Sequence, residues 1–77
     1  MTLRWLNQFK PAEVNFRQRR LLAYAYAHGK VFSTADYQRV AEVDRDTAYR
    51  DIRAMVKLGI VGPHRPKSRI YRIIERL

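Results

Sequence analysis

The chain has 77 residues, enough for one domain whose core is too small for a deep catalytic pocket between layers. A hydrophobic fraction of 47%, with only three glycines and three prolines, excludes a disordered or low-complexity tail. Sixteen Lys and Arg against seven Asp and Glu leave a net charge of +9, which suits a polyanionic partner, and the lack of cysteine excludes a disulfide framework and a thiolate metal site.

The first ten residues, MTLRWLNQFK, lack the apolar centre of a signal peptide, and no apolar run nears the roughly 20 residues that span a bilayer. A cytoplasmic protein with no membrane partner is the expectation. Leu3, Leu6 and Phe9 could line a short helix beside Trp5 before Pro11 interrupts. Residues 1–13 therefore read as an N-terminal arm, and residues 14–77 as the domain.

Asn15 and Gln18 have capping-box spacing, which predicts a helix from Phe16 to about His28 with Gly29 as its stop. Leu21, Leu22 and Ala25 share one face, with Tyr26 at its edge. Phe16, Ala23 and Ala27 lie opposite, near Tyr24. A helix apolar on two sides is covered on two sides, so Trp5, Phe16 and Tyr24 are the candidate dimer or docking surface. Arg17, Arg19 and Arg20 read as a solvated band, with phosphate contact as the alternative.

Lys30-Val31-Phe32 is a short β-prone run. Ser33 caps a second helix, Thr34 to Ala41, with Asp36 at the reciprocal position. Tyr37, Val40 and Ala41 form its buried face, and Val43 is expected inside the connection that follows. Asp44 is the N-cap of a third helix that ends at Gly59. At about 100° per residue, Ala48, Ile52, Met55 and Val56 gather on its core side. Asp46, Thr47, Arg50, Arg53 and Lys57 gather on the other. A short helix, a tight turn and a second amphipathic helix form a helix-turn-helix pattern.

Ile60-Val61 and Arg69 to Ile74 are β-prone around a turn-rich basic loop, residues 62–68, which reads as a hairpin stiffened by two prolines in its tip. Tyr71 and Ile73 should face the core, and Ile70 and Arg72 should face away.

This order of elements is that of a winged helix-turn-helix, a mainly α, α+β fold of three helices with a short β-hairpin wing. Asp44-Arg45-Asp46-Thr47-Ala48-Tyr49-Arg50-Asp51-Ile52, with Met55-Val56 and Gly59-Ile60, resembles the S-x-x-T-A-x-R-D-L…L-V…G-L pattern of DeoR-type bacterial regulators. It is also similar to the winged-helix segments at the C-terminal end of Fic-type proteins and of helicase-related proteins with a divergent ATPase-like domain. There an R-Q pair opens the first helix, as Arg17-Gln18 does here, and a tyrosine stands near the end of the last strand, as Tyr71 does. The resemblance covers about residues 15–73. Three positions depart from the pattern: Asp44 replaces the usual serine, Glu42 stands at a turn position often held by glycine, and the wing is proline-rich rather than glycine-rich.

The resemblance implies a recognition helix over residues 44–58 in the major groove of double-stranded DNA, with Arg45, Thr47, Arg50 and Arg53 as contacts. Lys57 lies on the same outward face. Arg50 and Arg53 suit guanine, because a guanidinium matches O6 and N7 in pairs. Thr47 suits a phosphate or a thymine methyl. Arg65, Lys67 and Arg69 in the wing, residues 62–69, suit the backbone or a minor groove. Packing is expected for Tyr49, and an ion pair that orients an arginine for Asp51.

The chain thus reads as a DNA-binding module for transcription regulation, with a homodimer or a larger parent protein as its assembly. The alternative is a protein-interaction winged helix, either a C-terminal segment or an accessory subunit of a larger protein. A third reading is a double-stranded RNA or non-specific nucleic-acid binder. No enzyme activity, cofactor or metal is expected. His28 and His64 are the only histidines and are far apart in sequence, and no nucleophile with a local base or phosphate-binding glycine loop is evident.

Overall fold

The computed structural model describes residues 14–64 and 69–74. Three helices and a three-stranded antiparallel sheet alternate as α1 (Phe16–Ala27), β1 (Val31–Ser33), α2 (Thr34–Ala41), α3 (Arg45–Leu58), β2 (Val61–Pro63) and β3 (Ile70–Ile73). This is the winged-helix layout the sequence predicts. The arm of residues 1–13, including Trp5, and the wing tip with Arg65 and Lys67 lie outside the described residues.

Each helix starts where a short polar side chain captures free first-turn amides. Asn15 and Gln18 form a reciprocal box at α1: Gln18 N donates to Asn15 Oδ1 at 2.9 Å, and Asn15 N donates to Gln18 Oε1 at 2.7 Å. Ser33 and Asp36 do the same at α2. Asp44 caps α3 through the Thr47 amide at 2.9 Å. The helix ends depend on left-handed backbone. Gly59 takes φ 79° after α3, a conformation glycine adopts without steric cost. Glu42 takes φ 57°, ψ 50° in the turn between α2 and α3, which is strained for a residue with a Cβ.

The sheet runs in the order β1-β3-β2, so the last strand is central. Phe32 and Pro63 flank Tyr71 from opposite sides, and Val61 pairs with Ile73. Pro63 is a correction to the sequence reading, which put both prolines in the hairpin tip. It is instead the last residue of β2, where an edge strand tolerates the missing N–H. The His64 amide then donates to the Ile70 carbonyl at 2.8 Å and closes the base of the wing.

One core gathers from every element: Leu21, Leu22 and Ala25 of α1, Phe32 of β1, Tyr37 of α2, Ala48, Ile52 and Met55 of α3, then Ile60, Val61 and Ile73. Tyr71, Val40 and Val43 pack partly buried against it. Ile73 faces in while Ile70 and Arg72 face out, as strand alternation requires. Val56 is a second correction. Expected in the core, it is 40% exposed, because Met55 and Ile52 already fill the contact line of α3.

Candidate nucleic-acid interface

The outward side of α3 is set by its inward side. Burying Ala48, Ile52 and Met55 leaves Arg45, Asp46, Arg50, Arg53 and Lys57 exposed. A helix of this length is about 21 Å long and fits a major groove about 12 Å wide. Arg50, Arg53 and Lys57 take no part in the Arg17–Asp51 and Arg39–Asp36 ion pairs. Thr47 is half-buried and serves the cap: its hydroxyl and then its amide, with the charge of Arg50, hold the Asp44 carboxyl below its ordinary range.

Arg45 lies over the Tyr49 ring, 5.8 Å from guanidinium carbon to centroid. Tyr49 is half-buried beneath that guanidinium. Arg69, at the base of the wing, is exposed. Arg45, Tyr49 and Arg69 line one cleft of about 190 Å³ with Thr34 and Gln38 of α2. The fold therefore brings the first turn of α3 and the base of the wing together, 24 residues apart in sequence.

The orientation of α3 is fixed by a buried polar junction. Asp51, only 4% exposed, accepts from Arg17 Nε at 2.8 Å and Arg17 Nη2 at 3.1 Å. It also accepts from the Tyr37 hydroxyl at 2.7 Å and from Asn15 Nδ2 at 3.3 Å. Gln18 Nε2 donates to the Asp51 backbone carbonyl at 2.9 Å. All three helices thus meet at one carboxylate and its own backbone. Burial pushes the Asp51 carboxyl up, but the hydrogen bonds from Arg17 and Tyr37 outweigh it and hold the group below the usual carboxylate range. Burial and then Asp51 push the Tyr37 hydroxyl far up, so it remains a donor.

This junction corrects one expectation and completes another. Arg17 is not part of a solvated band; it is the arginine that Asp51 orients. Asp51 shares the spacing of the buried positions Ala48, Ile52 and Met55, and that periodicity is the sequence signal that marks it as inward.

The two described members of the docking surface separate. Phe16 is 77% exposed. Tyr24 is half-buried, packed on the core, stacked on His28 at 4.2 Å, and accepts from Arg39 at 3.0 Å. Among the described residues, no group of three or more His, Cys, Asp or Glu side chains could hold a metal ion, and no helix is long and apolar enough to cross a membrane. No protein-family model matches the chain, and neither a curated protein nor a solved structure matches it.

Proposed function

We propose that the protein binds double-stranded DNA through α3, with the wing as a second contact, and serves as a transcription-regulating module. The observation that carries this reading is the exposed cationic face of α3: Arg50, Arg53 and Lys57 project from a helix whose opposite side is locked into the core. Arg50 and Arg53 lie within one turn of each other, suited to guanine edges, and Lys57 and Arg69 to phosphates. The net charge of +9 supports the same partner.

The test is binding to random duplex and to a selected site at two salt concentrations, for wild type and for Arg50→Ala combined with Arg53→Ala. The expected result is a steep salt dependence and a loss of selectivity in the variant. Absence of duplex binding by the wild type at low salt would overturn the proposal.

Phe16 favours a second reading, a winged helix that docks to protein or to a second copy, since this large apolar residue is 77% exposed at the start of α1. Sedimentation at high concentration tests self-association. The reading predicts a dimer that Phe16→Ser dissociates, and a monomeric wild type would remove the homodimer.

A further inference from the structure

We propose that Asp46 is a base-reading residue that accepts from the N4 amino group of a cytosine in the major groove. The inference rests on the DNA-binding reading above and deepens it by naming one base that the exposed face of α3 selects.

The observation is an acid on a face otherwise made of cations. Asp46 is exposed on α3 together with Arg50, Arg53 and Lys57. Three other acids of the helices and their caps have structural partners. Asp36 accepts from the Ser33 amide and from Arg39. Asp44 accepts from the Thr47 amide. Asp51 accepts from Arg17, Tyr37 and Asn15. Asp46 takes no part in these caps or in the Arg17–Asp51 and Arg39–Asp36 ion pairs. A carboxylate in the first turn does gain from the positive end of the helix dipole. That gain does not depend on which side of the helix the acid occupies, so it leaves the outward placement of Asp46 unexplained.

Beside a polyanion the same carboxylate is unfavourable. It repels phosphate, and it has no proton to offer the acceptors of guanine or thymine. Cytosine presents a donor alone in the major groove, its N4 amino group. Adenine sets its N6 donor beside the N7 acceptor, which opposes a carboxylate. Cytosine is therefore the base that turns the repulsion into a contact. The position agrees with this. A recognition helix meets base edges with residues near its N-terminal end, and Asp46 directly follows Arg45, the first residue of α3. Arg50 stands one turn further on, about 6 Å along the axis, within reach of a neighbouring base pair. Asp46 and Arg50 then read a cytosine and a guanine from one face, acceptor against donor and donor against acceptor.

The experiment selects duplexes from a randomised pool with the whole chain as wild type, Asp46→Ala and Asp46→Asn, and measures affinities by fluorescence anisotropy. Wild type is expected to require cytosine at one position. Asp46→Ala should lose the preference at that position alone. Asp46→Asn should move it to adenine, whose N6 and N7 match a side-chain amide. Replacing that cytosine by thymine should weaken wild type by about tenfold and Asp46→Ala far less. Asp46→Ala should also bind random duplex more tightly, since a repelling charge is gone. Thermal melts by circular dichroism check that the variants fold, as Asp46 is exposed. An unchanged selected motif in both variants, with a lower melting temperature as the sole effect, would overturn the cytosine reading and leave DNA binding through α3 intact. Wild-type binding without sequence preference would also overturn it. Absence of duplex binding by the wild type would overturn the DNA-binding reading itself and the cytosine reading with it.

Discussion

At the scale of single residues, Asp51 matters most to the site although it touches no ligand. It neighbours Arg50 in sequence but is turned inward from it, into Arg17, Tyr37 and Asn15. Breaking a buried ion pair is costly because the remaining partner keeps its desolvation without its counter-charge. Arg17 is partly exposed and returns to water, so Asp51→Asn should cost about 2–3 kcal/mol, less than a fully buried pair. Urea denaturation reads this loss, and an unchanged midpoint would show the junction to be energetically idle. The same residue sets an acid limit. Its folded carboxyl lies below the ordinary value, so the unfolded chain binds the proton first. Its contribution is complete above the unfolded carboxylate range near about 4, and is lost as pH falls through the lower folded value. Melting temperature should therefore fall below about pH 4 in wild type, and less steeply in Asp51→Asn. Asp36, also held low by the Ser33 amide, adds a component of the same sign that persists in the variant.

At the scale of elements, the turn before α3 carries strain. Glu42 holds φ 57° where glycine would be free of Cβ conflict. Glu42→Gly should stabilise the domain by about 0.5–1 kcal/mol, since the left-handed conformation costs an L-residue about 1–2 kcal/mol and glycine's greater unfolded freedom offsets part of the gain. It also removes an anion near the proposed DNA-binding face of α3, so duplex binding should tighten at low salt. Stability measured by denaturant and affinity by fluorescence anisotropy should rise together; a fall in stability would refute the strain argument. Asp44→Ser separates charge from capping. Serine still accepts from the Thr47 amide, so the helix start persists while the acidic end is reduced. Tighter duplex binding with unchanged helicity is the expected outcome.

At the scale of the whole molecule, the core organises the surface. Phe32, Tyr37 and Tyr71 pack ring to ring across β1, α2 and β3, with centroids 6.5 Å and 5.6 Å from Phe32. They join the sheet to the helix-turn-helix, so the base of the wing cannot shift far without disturbing α2. Phe32→Ala should cost about 3–5 kcal/mol, a large share of the stability of so small a domain. Loss of cooperative melting at room temperature is the expected readout.

The sequence by itself determined the three helices and where they start. Asn15, Ser33 and Asp44 with their partners three residues on define helix starts, and Gly59 defines a stop, because capping is chemistry between near neighbours in the chain. The outward position of Asp46, Arg50, Arg53 and Lys57 was legible for the same reason, as helical periodicity is local. Tertiary structure decided which arginine is structural and which is available. Arg17 and Arg50 look alike in sequence, but Asp51 reaches Arg17 from another helix 34 residues away. It decided that Pro63 belongs to a strand and that Val56 stays exposed, because both depend on what packs alongside. It also placed Arg45, Thr34 and Arg69 around one cleft, a grouping that no local period encodes because only the docking of the wing base on the start of α2 creates it.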